Sequence, residues 1–246
     1  MSSTLTPSRR AFLSHLLANL LVIAGSVLLL QACGGGGGGG GGAPPPVTTP
    51  PLLWLNANNG TTGFELYRSD GTAAGTFLIR DINAGGGGSN PSDLALINGV
   101  AYFAADDGTN GVELWKSDGT EAGTVRVRDI NPGASDGIPP SIFITPNAFD
   151  VVGNTLYFLA TDGTTGNELW KSDGTEAGTV RVRDINPGVG SSNPASLTAV
   201  GGTLYFAADD GTNGVELWKS DGTEAGTVNV INLNSVGDGV LSIWAP

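Results

Sequence analysis

The chain has 246 residues, of which 40 are glycine and 14% are charged, with few aromatics; this composition favours short strands and tight turns over helices. Its formal charge is -12, from 11 basic and 23 acidic residues, and an acidic surface of this kind repels phosphate backbones, so nucleic acid is not an expected partner. The one histidine, His15, and the one cysteine, Cys33, lie near the N-terminus, which removes histidine-dependent triads, cysteine nucleophiles, disulfides and ordinary zinc or haem ligation from the remainder.

Ser8-Arg9-Arg10-Ala11-Phe12-Leu13 sets two adjacent arginines before an apolar run. It resembles the twin-arginine export motif of bacterial signal peptides, the alternative being the basic start of an ordinary secretory signal. Residues 11–30 are long enough to cross a bilayer. However, Leu30-Gln31-Ala32-Cys33 is similar to a bacterial lipobox, whose cysteine is diacylated and becomes the new N-terminus. This resemblance implies a lipid anchor on Cys33 in place of a retained helix, with the several acyl chains that stable attachment needs. Gly34 stands where inner-membrane retention signals often carry aspartate, which points to the outer membrane in a host that has one. Residues 1–32 are therefore read as a signal peptide and 33–51 as a lipidated cysteine followed by a tether, coil-like through the glycines and stiffer through the prolines. Arg9 and Arg10 are the only charges before Cys33, so the exported part carries 9 basic against 23 acidic residues. An extracytoplasmic protein attached to the cell envelope by its lipid is expected.

From residue 52 onward the chain is a repeat. Glu113-Leu114-Trp115-Lys116-Ser117-Asp118-Gly119-Thr120-Glu121-Ala122-Gly123-Thr124 returns unchanged from Glu168 and from Glu216, and in altered form from Glu65, where Tyr67 replaces the tryptophan. The spacings are 48, 55 and 48 residues, a period that suits four-stranded propeller blades or another stacked array. In the last unit, strands are predicted at 197–200, 203–208, 215–219 and 227–231, with Gly201-Gly202 as a hairpin turn. In the second unit Val125-Arg126-Val127-Arg128 alternates with a period of two, leaving one face apolar.

These residues resemble the bacterial tandem-repeat family with the signature Glu-Leu-Trp-x-x-Asp-Gly-Thr-x-x-Gly-Thr, matched at every fixed position by three copies. The resemblance covers residue 52 to the C-terminus. It implies an all-β, propeller-like array in exported or surface proteins and no particular activity. The first unit opens on Leu52-Leu53-Trp54-Leu55-Asn56, which aligns with the second strand of later units, while 234–244 occupies the place of a first strand. The expected architecture is a four-bladed β-propeller of antiparallel blades over 52–246, its first blade completed by the C-terminal strand. An open array, or a half-ring that dimerises, is the alternative.

The turns that carry Asp118-Gly119-Thr120 and its copies are expected to be structural, with the aspartate capping turn amides. The opposite-face turns carry Asp106, Asp107, Asp162, Asp209 and Asp210, together with Thr161, Asn58 and Asn59. Several oxygens converging there could hold Ca²⁺, although the run lacks the alternation and distal glutamate of an EF-hand, and solvated turns are the competing reading. Trp115, Trp170 and Trp218 read as core wedged between blades rather than as a ligand platform, and Glu113, Glu168 and Glu216 as partners of Lys116, Lys171 and Lys219 or of the fourth-strand arginines. The connection 137–146 is seven residues longer than its counterpart; its Ile142 and Phe143 either meet a partner or fold back into the next first strand. The composite expectation is a monomeric, lipid-anchored binding or scaffolding module for a protein or glycan, with a carboxylate-based hydrolase or lyase and a purely structural envelope protein as alternatives.

Overall fold

The computed structural model describes residues 52–140, 148–234, 237–240 and 242–243. Arg9, Arg10, Cys33, Ile142 and Phe143 lie outside the described residues, and with them the signal, the tether and the apolar part of the long connection.

The described chain is all-β, with no helix. Sheet 1 contains β1 (Leu53–Asn58), β2 (Phe64–Ser69) and β3 (Phe77–Arg80). Sheet 2 contains β4 (Ser92–Ile97), β5 (Val100–Asp106), β6 (Val112–Ser117) and β7 (Val125–Arg128). Sheet 3 follows with β8 (Phe149–Val152), β9 (Thr155–Ala160), β10 (Glu168–Ser172) and β11 (Val180–Arg181). Sheet 4 is formed by β12 (Ala195–Val200), β13 (Thr203–Asp209), β14 (Val215–Ser220) and β15 (Val228–Ile231). Every pairing is antiparallel between strands consecutive in sequence, so each repeat closes its own sheet before the chain moves on. The strands predicted in the last unit coincide with β12 to β15 to within two residues at either end.

Local chemistry sets the hairpins. Asn98 and Gly99 have φ of 51° and 82°, and Gly201 and Gly202 have φ of 56° and 83°; two successive positive dihedrals are what a two-residue turn between twisted strands requires. The second strands of sheets 2 and 3 read as nearly unbroken apolar runs because neighbouring sheets cover both of their faces. Leu66, Ile79 and Ile82 of sheet 1 share a core with Phe103, Ala105 and Trp115 of sheet 2. Leu114, Val127 and Ile130 of sheet 2 meet Leu156, Phe158 and Trp170 of sheet 3. Leu169, Val182 and Ile185 of sheet 3 meet Leu204, Phe206 and Trp218 of sheet 4. Each sheet thus presents a forward face to its successor and a rear face to its predecessor. The three tryptophans lie on rear faces, at 4% to 5% exposure, so they are core.

The two outer faces of the array differ from the internal ones. Val127 and Ile130 are 7% and 2% exposed, and Val182 and Ile185 are 6% and 4%, whereas their counterparts in sheet 4, Val230 and Leu233, are 44% and 58% exposed. Leu53 on the rear face of sheet 1 is 46% exposed, while its counterparts Ala101, Leu156 and Leu204 are completely buried. Among the described residues no apolar cluster joins sheet 4 to sheet 1, and sheet 1 has three strands.

Candidate functional site

The repeated motif resolves into framework contacts, residue by residue. Asp118 Oδ1 accepts from the Thr120 amide at 2.9 Å and the Thr120 hydroxyl at 2.7 Å, and these bonds hold its carboxyl below the usual range. Ser117 and Thr124 share a buried hydroxyl–hydroxyl bond of 2.7 Å, and the Gly119 amide donates to Ser117 Oγ at 3.0 Å. Gly119 has φ of 88°, a left-handed conformation that suits glycine, and a Cβ on Gly123 would come within 2.0 Å of Asp118 Oδ1. The same bonds recur from Ser172 to Thr179 and from Ser220 to Thr227.

The glutamates do not pair with lysine or arginine. Glu65, Glu113 and Glu168 are completely inaccessible and Glu216 is 1% exposed, because each opens a strand beneath the connection to the next sheet. Each carboxylate gathers amides from the segment that leaves its sheet, groups that burial would otherwise leave short of acceptors; the Ser192 amide is shared with the Asn167 carbonyl at 3.0 Å. Glu168 accepts from the amides of Ile185, Asn186 and Ser192 at 2.9, 3.3 and 3.1 Å and from the Ser192 hydroxyl at 2.6 Å. Glu65 receives the equivalent set from Ile82, Asn83 and Ser89. Glu113 has Gly137 where the serine would stand, and accepts from Ile130 and Asn131 at 2.9 and 3.2 Å. Burial raises Glu113 to about 7 against the pull of those two amides. Glu168 is also raised by burial, opposed first by the Ser192 hydroxyl. A raised carboxylic acid is the usual mark of an acid catalyst, but no substrate can reach a fully covered Glu113.

The basic residues cross from sheet to sheet. Lys116 Nζ donates to the Gly174 carbonyl and Lys171 Nζ to the Gly222 carbonyl, both at 2.8 Å. Arg80, Arg128 and Arg183 donate from Nη1 to the carbonyls of Thr124, Thr179 and Thr227 at 2.6, 2.5 and 2.6 Å. Their guanidinium carbons lie 6.0, 5.8 and 5.9 Å from the ring centres of Trp115, Trp170 and Trp218. The counterpart of these arginines in sheet 4 is Ile231, and the counterpart of the tryptophans in sheet 1 is Tyr67. These straps escaped the sequence reading, although the signal was present as an arginine 15 residues after three of the four motif glutamates.

The acidic turns are distributed over successive sheets and each caps its own amides, with Asp107 also meeting Arg126 Nη1 of β7 at 3.5 Å. Asp106 Oδ1 caps the Gly108 amide at 2.7 Å, and Asp107 Oδ1 caps Thr109 and Asn110, both at 2.9 Å. Asp209 and Asp210 repeat this on Gly211, Thr212 and Asn213, and Asn58 and Asn59 do so on Gly60, Thr61 and Thr62. Asp162 serves Thr164 and Thr165; burial pushes it up, but the hydrogen bonds from these two threonines prevail and hold it at about 2. Among the described residues no three acidic, histidine or cysteine side chains gather to form a metal site. The structure therefore does not bring Asp106, Asp107, Asp162, Asp209 and Asp210 together. It offers instead a hollow of about 360 Å³ at the other end of sheet 4, on its forward side, lined by Thr203, Tyr205, Lys219, Asp221, Gly226 and Val228.

These features define an all-β array of repeated antiparallel sheets joined by a recurring junction. No family model and no curated protein matches the chain. Among solved structures, the chain is similar to a crystal structure of a puromycin hydrolase S511A mutant complexed with PGG, at 15% identity and a TM-score of 0.44. That match covers 69% of this chain and 25% of the hydrolase chain.

Proposed function

We propose that the protein is an exported scaffold or binding module, held at the cell envelope by lipid on Cys33, and that it is not a catalyst. One observation carries the reading. The motif's glutamate, serine, aspartate and threonine groups, with the sheet-crossing lysines and arginines, are engaged in building sheets and the junctions between them. The Arg9-Arg10 pair and the lipobox-like run before Cys33 supply the address, and the glycine- and proline-rich tether supplies the reach.

The finer architecture that accompanies this reading is a propeller whose sheets act as blades and whose three-stranded first blade gains its inner strand from a C-terminal segment, that of the same chain or, in a dimeric ring, that of a second copy. The amides of Gly239 and Val240 donate to the Val215 carbonyl at 2.9 and 3.0 Å, just as those of Gly137 and Ile138 donate to Val112 where the chain leaves sheet 2 for sheet 3. The chain end is therefore aimed as though another sheet followed. Metabolic labelling with a fatty-acid analogue tests the anchor: the wild-type chain takes up label and sediments with membranes, and Cys33→Ala does neither. A Cys33→Ala chain that still takes up label and stays membrane-bound would overturn the anchor.

A further inference from the structure

The forward face of sheet 4 is exposed, and the internal junctions show what such a face receives elsewhere in the array. At the junction between sheets 2 and 3, the turn carrying Gly174 lies against Tyr102, Lys116 Nζ bonds to the Gly174 carbonyl, and Arg128 bonds to the Thr179 carbonyl. At the junction between sheets 3 and 4, Tyr157, Lys171 and Arg183 act in the same way on Gly222 and Thr227. The counterparts of Tyr102 and Lys116 in sheet 4 are Tyr205 and Lys219, and both line the 360 Å³ hollow. The hollow has the position and lining of the socket that receives the next sheet's glycine turn. The counterparts of Gly174 and Thr179 are Gly71 and Thr76 of sheet 1, and both are exposed, although Thr124, Thr179 and Thr227 are completely buried. The knob and the socket thus lie at opposite ends of the array. Three junctions, all with the arginine on the threonine carbonyl but the first with Trp54 and Arg68 beside Gly119 in place of tyrosine and lysine, leave the chain's own sheet 1 off the face of sheet 4, where Val230 and Leu233 stay in solvent.

We propose that this face is covered by sheet 1 of a second copy of the chain, in a head-to-tail contact that reproduces the internal junction. Val230 and Leu233 take the place of Val127 and Ile130, and they meet Leu53, Leu55 and Ala57 in the place of Leu156, Phe158 and Ala160. Lys219 reaches the partner copy's Gly71 carbonyl. A twofold pair occupies both end faces of both chains and leaves neither face open.

The chemistry of the junction is changed at one matched pair of positions. Where internal junctions set an arginine over a tryptophan, this one sets Ile231 beside Tyr67, so an apolar contact replaces a charged one on both partners at once. An end face therefore carries a mark that distinguishes it from the internal faces, which is how a repeated surface selects its own counterpart.

The test is sedimentation of the full chain in detergent. The wild type is expected at the mass of a dimer or a longer head-to-tail assembly. Val230→Asp with Leu233→Asp, and separately Leu53→Asp, are each expected to give monomer, and these three positions, 44%, 58% and 46% exposed, leave the sheets folded. Mixing the two variants restores one intact junction and is expected to return a heterodimer. A wild-type chain that sediments as a monomer overturns the proposal, as does a mixture that stays monomeric. A monomer destabilised by Val230→Asp would show that the face closes on the chain's own sheet 1. Neither result bears on the lipid at Cys33, which the labelling experiment reads separately.

Discussion

Arg128 donates from Nη1 to the Thr179 carbonyl at 2.5 Å, across the junction between sheets 2 and 3. The same guanidinium lies 5.8 Å from the centre of the Trp170 ring, so one side chain ties a backbone and an aromatic of the neighbouring sheet. Hydrogen bonds from charged donors contribute about 1.5–3 kcal/mol, and a cation over an aromatic face adds about 0.5–1 kcal/mol where solvent reaches it. Arg128→Met, which keeps most of the stem, is expected to lower unfolding free energy by about 2 kcal/mol. Denaturant titration of the variant beside the wild type measures this.

Trp170 is 4% exposed and packs with Phe158 and Leu156 against Leu114 and Val127. Trp170→Ala is expected to cost roughly 3–5 kcal/mol, the range for a large aromatic removed from a packed core. Trp170→Phe, which retains a ring beneath Arg128, should cost clearly less in the same titration.

The carboxyl of Glu113 predicts a pH dependence. Its ordinary value is 4.5, and burial raises it in the folded chain to about 7, so the folded state binds the proton more tightly than the unfolded state. The associated stability is complete below about pH 4.5 and is lost as pH rises through about 7, a change of about 3 kcal/mol across that window. Glu113→Gln is expected to remove this component of the slope. Gly137→Ser, which places a hydroxyl donor where Ser192 serves Glu168, is expected to reduce it once the carboxylate has moved aside. Thermal unfolding from pH 4 to pH 8 reads all three chains.

Gly174 and Gly99 separate backbone strain from junction packing. Both have positive φ, 86° and 82°, but a Cβ on Gly174 would come within 2.1 Å of Tyr102 Oη, while one on Gly99 meets nothing within 4 Å. Alanine at either site carries the left-handed penalty of about 1–2 kcal/mol. Gly174→Ala is expected to lose measurably more, and Tyr102→Phe should recover part of the difference. Equal losses at the two sites would mean that the turn does not bear on the tyrosine.

The strands were legible because their signals are local. Asn98-Gly99 and Gly201-Gly202 declare hairpins, and the apolar run 203–208 declares a strand. The role of Asp118 was legible for the same reason, since its partner Thr120 is two residues away. Glu168 was misread because a charged residue at the start of a strand looks solvent-facing. Its partners lie 17, 18 and 24 residues on, in a connection with no periodicity of its own. Lys116, Lys171, Arg128 and Arg183 were misread through the same bias towards ion pairs, when their acceptors are carbonyls of the next sheet, 51 and 58 residues away for Arg128 and Lys116; the fourth-strand arginines that do form ion pairs, Arg126 and Arg181, take aspartates and not the motif glutamates. The acidic turns were open to two readings, calcium ligands or solvated turns, because their repetition is visible in the chain while their mutual distances are not; the aspartates accept from amides two or three residues on.

If the motif glutamates serve to hold each sheet to the segment that leaves it, replacing Glu168 must weaken the fold. Glu168→Gln removes the charge but keeps the shape, and it turns an amide group towards backbone donors that the carboxylate had satisfied. Each buried donor left without a partner costs about 1–3 kcal/mol, so the unfolding free energy of the full chain is expected to fall by roughly 2–4 kcal/mol. Unfolding indistinguishable from that of the wild type would contradict the claim and return Glu168 to the search for a functional site.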